Sequence, residues 1–105
     1  FNIQARSADS ARREEPASLP EDLLPGLRAL SDGTRLRIIK MLREDEMYAQ
    51  EIVGRLGISQ SAVSRHLSVL QAADIVRVRP DYGMKYYAIN AERIRQIAEA
   101  LEQIG

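Results

Sequence analysis

Between Gln50 and Val76 the chain reads QEIVGRLGISQSAVSRHLSVLQAADIV, two amphipathic segments with a corner between them. Ile52, Val53 and Leu56 make one apolar stripe. Val63, Leu67 and Leu70 make another at i, i+4, i+7, the spacing that gathers side chains on one face of a helix. Gly57 can take the left-handed backbone that ends the first helix, leaving Ile58 to pack into the corner. Ser59 is a good N-cap for the second, longer helix. The other face of that helix carries Ser61, Ser64, Arg65 and Ser68, with Gln60 at its start. These side chains are short or planar hydrogen-bonders without apolar character, as a helix lying in a DNA major groove requires. The segment reads as a helix-turn-helix.

A chain of 105 residues supports one domain. Hydrophobic residues at 45% and charged residues at 29% describe an ordinary globular protein. No apolar run approaches the roughly 20 residues needed to span a bilayer, and there is no signal-peptide pattern. With no cysteine, disulfides and thiolate metal sites are excluded, which fits a cytoplasmic location. The chain opens on Phe1 rather than methionine, as a trimmed chain or the last domain of a longer protein would. Its net charge of zero argues against strong phosphate binding, but the distribution is uneven. Residues 59–89 hold Arg65, Arg77, Arg79 and Lys85 against Asp74 and Asp81, so the positive surplus lies with the candidate recognition helix and the extended runs after it.

Residues 1–18 mix Ala, Ser, Arg and Glu and read as a flexible arm or linker remnant, with 19–105 as the folded domain. From Glu21 to Leu30, Leu23, Leu24, Leu27 and Leu30 form an apolar stripe on a first helix, weakened by Pro25 and Gly26. Asp32 caps a second helix expected from Gly33 to Arg43, with Leu36, Ile39 and Leu42 as its buried face. Glu44, Asp45 and Glu46 make a solvated acidic turn. After Val76 the period changes. Val76 to Arg79 alternate, turn signals surround Gly83, and Lys85 to Ile89 form a second extended run, together a two-stranded wing. Asn90 caps a last helix lined on one face by Ile94, Ile97, Ala98, Leu101 and Ile104. The fold class is mainly α with a small β-hairpin: a winged helix-turn-helix.

This order of elements, with LRALSDGTRLRIIKML (Leu27 to Leu42), ISQSAVSRHLSVLQAADIV (Ile58 to Val76) and YGMKYYAIN (Tyr82 to Asn90), resembles the ArsR-type winged-helix transcription regulators over residues 23–104. The resemblance implies a cytoplasmic homodimer that binds double-stranded DNA, represses transcription and releases DNA when an effector binds. Gly33 stands where the family usually has proline after the capping Asp. Tyr48 and Gln50 stand where the family's best-known metal sensors place two cysteines, and the last helix has no histidine. The family's fold therefore carries over, while its metal chemistry does not: no metal site and no cofactor are expected, and the effector is unknown.

The candidate DNA-binding residues are Gln60, Ser61, Ser64, Arg65 and Ser68 on the recognition helix and Arg79 and Lys85 on the wing. Arg65 suits a fork onto guanine or phosphate. His66, the only histidine, reads as a half-buried packing residue, because one imidazole holds no metal and no nucleophile and orienting acid accompany it. Of Tyr86 and Tyr87, which alternate faces, one is expected in the core. Leu23, Leu24, Leu27, Ile94, Ile97, Leu101 and Ile104 exceed what a small core needs; they can pack within the chain, and the resemblance implies that they form a two-fold dimer seam. No catalytic residues are expected, since no nucleophile, base and orienter coincide and no phosphate-binding glycine loop exists. The alternative is a winged helix used for protein association, or as the DNA-binding end of a larger effector-sensing protein.

Overall fold

The computed structural model describes residues 18–104, so the expected arm lies, Ser18 apart, outside the described residues. The elements run α1 (Leu23–Leu30), α2 (Gly33–Glu44), β1 (Met47–Tyr48), α3 (Ala49–Leu56), α4 (Gln60–Ala72), β2 (Val76–Asp81), β3 (Met84–Ile89) and α5 (Ala91–Ile104). Local signals start and stop the central helices. Asp32 is extended, and its carboxylate accepts the Arg35 N–H at 3.0 Å; α2 begins at Gly33 without a proline there. Gly57 ends α3 at φ 69° and donates its N–H to the Val53 carbonyl at 3.0 Å. The Ser59 hydroxyl then accepts the Ala62 N–H at 3.1 Å and opens α4. Val63, Leu67 and Leu70 are buried beside Ile52 of α3 and Ile38 of α2, so the two stripes of the helix-turn-helix share one core.

The inner face of α2 differs from the expected one. Ile38, Ile39 and Leu42 are buried, whereas Leu36 is 50% exposed. Arg35 takes the inward place on the first turn, where its guanidinium reaches the carbonyls that end α1. The face is centred on Ile38 and Leu42, four residues apart, and that rotation turns Leu36 to solvent.

The wing is longer than its alternating pattern suggests. β2 and β3 pair antiparallel from Val76↔Ile89 to Asp81↔Met84, with Pro80 opposite Lys85. Pro80 is tolerated because β2 is an edge strand, where a missing N–H breaks no second ladder. Tyr82 and Gly83 make the two-residue turn at φ 51° and 81°, the positive pair that matches strand twist in a tight hairpin. A third strand joins the expected two: β1 pairs with β3 at Met47↔Tyr87 and Tyr48↔Tyr86, giving the order β1-β3-β2. Tyr87 is the core tyrosine, with Met47 and Val76; Tyr86 lies on the opposite face.

α1 and α5 pack against each other, and Gly26 sets their separation. A Cβ on Gly26 would sit 2.8 Å from both Arg93 Nη2 and Ile97 Cδ1. A residue that weakens α1 as a lone helix thus allows α5 to approach it. Arg93 is only 6% exposed; its Nε donates to the Ala73 carbonyl at 3.0 Å and its Nη2 to the Asp22 carbonyl at 2.7 Å. Its Nη1 also pairs with the Asp22 carboxylate at 3.3 Å. Asn90 caps α5 with its Oδ1 and donates its Nδ2 to the Asp74 carbonyl at 2.8 Å. Two side chains of the expected dimer seam, Leu23 and Ile97, are instead sealed in this chain's own core, because the α1–α5 contact consumes them. Leu24, Leu101 and Ile104 stay 49%, 44% and 58% exposed, and Leu27 and Ile94 are half-buried. Among the described residues no helix is long and apolar enough to cross a membrane.

Candidate nucleic-acid interface

With Val63, Leu67 and Leu70 buried, helical geometry leaves Gln60, Ser61, Ser64, Arg65 and Ser68 on the exposed side of α4, and all five are exposed. The Ser59 cap also brings its hydroxyl within 3.3 Å of the Ser61 hydroxyl at the start of that face. Lys85 joins this surface. It lines a concavity of about 260 Å³ with Gln60 and Ser64 of α4, Gln50 of α3 and Met84 of the wing. One cation and several hydrogen-bonders from three elements thus surround a shallow open space, suited to a polyanion backbone alongside the helix.

Arg79 is not brought there. It is opposite Tyr86, one position along from the Pro80–Lys85 pair, so strand alternation puts it on the other face of the sheet. Its guanidinium lies 4.6 Å over the Tyr86 ring, its Nη2 is 3.3 Å from the Glu46 carboxylate and its Nη1 is 3.8 Å from the Asp81 carboxylate. Two acids and a ring flank it on that face, and its side chain stays 55% exposed. The Tyr86 and Tyr48 rings are 4.6 Å apart, and the Tyr48 hydroxyl donates to Asp81 Oδ2 at 2.5 Å. That hydrogen bond, with burial and the Asp81 charge, raises the Tyr48 phenol above its ordinary value. Burial, then the charges of Asp45, Glu46 and Glu51, raise the Tyr86 phenol.

His66 is half-buried, as expected, and faces the protein rather than open solvent. Its Nδ1 lies 3.2 Å from Arg35 Nη1 and 3.9 Å from the Asp32 carboxylate. The Arg35 N–H, as a backbone donor, holds the Asp32 carboxyl below its usual range, with smaller contributions from the Arg35 and His66 charges. Arg35 therefore links the end of α1, the start of α2 and the flank of α4. Its position on the same face as Ile38 and Leu42 was the one sequence signal of that inward role. Among the described residues no group of three or more His, Cys, Asp or Glu side chains could hold a metal ion.

Residues 32–78 match the family model described as "Bacterial regulatory protein, arsR family". The chain is 36% identical over 78 residues to the nodulation protein NolR of Rhizobium meliloti, covering 74% of this chain and 64% of that protein. It thus spans just under two thirds of that relative's length. An ArsR-like transcriptional regulator from Rhodococcus sp. RHA1 superposes with a TM-score of 0.75 at 31% identity, over 80% of this chain and 79% of its own. The winged helix-turn-helix DNA-binding domain of a possible ArsR-family regulator from Mycobacterium bovis, described as homodimeric, superposes with a TM-score of 0.67 at 26% identity, over 79% of this chain and 76% of its own. The matched family model and a 31% identical regulator that superposes over most of both chains agree: the chain belongs to the ArsR family of bacterial regulatory proteins.

Proposed function

We propose that this chain is a sequence-specific, double-stranded DNA-binding regulator of transcription, a homodimeric repressor acting in the cytoplasm. α4 enters the major groove, where Arg65 forks onto a guanine edge or a phosphate and Gln60, Ser61, Ser64 and Ser68 supply shorter hydrogen bonds. Lys85 neutralises a neighbouring phosphate from the wing. The observation that carries this reading is the polar, exposed face of α4 with Lys85 in one concavity beside Gln60 and Ser64. Arg79 has a lesser part, since Glu46 and Asp81 already neutralise it.

The dimer forms through α1 and α5. Leu24, Leu101 and Ile104 are exposed apolar side chains on two helices packed together, with Leu27 and Ile94 half-buried beside them. A two-fold seam there presents two recognition helices to two half-sites. The Mycobacterium bovis neighbour, described as homodimeric, supports a homodimer, whichever helices form its seam. Fluorescence anisotropy with a duplex from the promoter of the chain's own gene tests the whole reading. The wild type should bind as two chains per duplex, and Arg65→Ala should weaken binding and relax sequence preference. A wild type that binds no duplex refutes DNA recognition and leaves the fold to protein association.

A further inference from the structure

The distal wing is unsupported by the sheet beyond one point. The third strand, β1, reaches only as far as Tyr48↔Tyr86, and past it the hairpin continues as two strands through Pro80↔Lys85 and Asp81↔Met84 to the Tyr82–Gly83 turn. A bare two-stranded hairpin is marginally stable in water, so this stretch has no sheet-borne reason to keep one pitch. A side chain from outside the hairpin crosses the gap. From its place just before α3, Tyr48 extends its hydroxyl to Asp81 Oδ2 at 2.5 Å, 33 residues away. A hydroxyl donating to a carboxylate belongs to the stronger class of hydrogen bonds. The Tyr86 ring supports the Tyr48 ring from the side, and Glu51 accepts the Tyr48 N–H at 3.0 Å, so the donor itself is held at both ends. Lys85 lies between the two anchored levels of the hairpin, on the face turned toward Gln60 and Ser64.

We propose that Tyr48 and Asp81 are positioning residues for DNA recognition: their hydrogen bond braces the wing against the start of α3 and so sets where Lys85 meets the nucleic acid. The inference rests on the DNA-binding reading above. A brace of this kind acts on discrimination rather than on general phosphate attraction. With the brace, Lys85 is presented to the phosphate next to the bases contacted by α4; without it, Lys85 gives every duplex the same weak, unfixed attraction. Asp81 has a second effect, because its carboxylate offsets Arg79, so charge and bracing must be separated in the test.

The probes are the duplex that the wild-type chain selects from a randomised pool and a shuffled duplex of the same composition. A double-mutant cycle between Tyr48→Phe and Lys85→Ala reads the coupling, because Tyr48→Phe keeps the ring stack and removes only the hydroxyl. Lys85→Ala should lower affinity for the selected duplex about tenfold in the wild type and by less than about twofold beside Tyr48→Phe. Affinity for the shuffled duplex should hardly change with Tyr48→Phe. Asp81→Asn retains an acceptor and should preserve the coupling while raising affinity for both duplexes. Asp81→Ala should abolish the coupling, and it serves if Tyr48→Phe folds poorly by circular dichroism. Additive losses for Tyr48→Phe with Lys85→Ala, or for Asp81→Ala with Lys85→Ala, overturn the brace while leaving DNA binding intact. A wild type that selects no duplex removes the underlying reading and this inference with it.

Discussion

Arg35 Nη1 lies 3.2 Å from His66 Nδ1, joining the first turn of α2 to the flank of the recognition helix across 31 residues. The same guanidinium donates through Nε to the Ala29 carbonyl at 2.7 Å and through Nη2 to the Arg28 carbonyl at 3.1 Å. One side chain thereby satisfies the open carbonyl end of α1 and sets the seat of α4. Arg35→Lys keeps the charge and loses the fork. It should destabilise the fold by about 2 kcal/mol, roughly 10 °C in a thermal melt. A melt unchanged within error would show that the fork contributes little.

Asp32, beside this junction, makes part of the stability depend on acid. Its carboxyl is held below its ordinary value by the Arg35 N–H, so the stabilisation is complete above the unfolded value and lost as pH falls through the folded one. Asp32→Asn keeps an N-cap and removes the titration. Wild type should lead the variant at neutral pH, and the gap should close in denaturant melts taken from about pH 6 to about pH 3. A gap that is constant across the range would assign the titration elsewhere.

The cations of α4 and the wing should behave differently on DNA. Arg65→Ala should lower affinity by about 1–3 kcal/mol and relax base preference, whereas Lys85→Ala should lower the salt dependence by about one contact. Arg79→Ala should have the smallest effect of the three, since Glu46 and Asp81 already hold that guanidinium. Salt titrations followed by anisotropy distinguish these outcomes. A loss at Arg79 equal to that at Arg65 would mean the carboxylates release it to the phosphates.

Exposure separates the proposed seam from the core on α5. Leu101→Glu should give a folded monomer that binds a full operator weakly, because it places an unpaired charge in the seam and breaks the link between half-sites. Ile97→Ala should instead cost about 2–5 kcal/mol of stability, since Ile97 is buried within the single chain. Light scattering and thermal melts read the two effects. A Leu101→Glu chain that stays dimeric would move the seam off α5.

Alanine should have opposite signs at two helical glycines. At Gly26 the added Cβ meets Ile97 and the Arg93 guanidinium at 2.8 Å, and Arg93 is pinned by the Ala73 and Asp22 carbonyls. Gly26→Ala should destabilise by about 1–3 kcal/mol. At Gly54, on α3, a Cβ meets nothing within 4 Å among the described residues. Gly54→Ala should stabilise by about 0.5–1 kcal/mol. Denaturant midpoints give both signs directly.

The helix-turn-helix was legible in the sequence because its determinants are local. The Gly57 turn, the Ser59 cap and the Val63, Leu67 and Leu70 stripe act within a few residues of one another, and each appears in the structure as read. Asp32 and Asn90 opened their helices for the same reason, through a side chain and a backbone N–H three residues apart. What the tertiary structure decided concerns partners that are distant in the chain. Periodicity marked Leu36 as inward, but Arg35 had carbonyl partners on α1 and took that side. Apolar spacing could not divide Leu23 and Ile97 from Leu24 and Leu101, because only the α1–α5 contact consumes the first pair. β1, two residues long, has no period to read and exists because β3 offers an open edge at Tyr86 and Tyr87. Lys85 and Arg79 look alike in the sequence; strand alternation and the carboxylates of Glu46 and Asp81 separate them, turning one toward α4 and flanking the other on the opposite face.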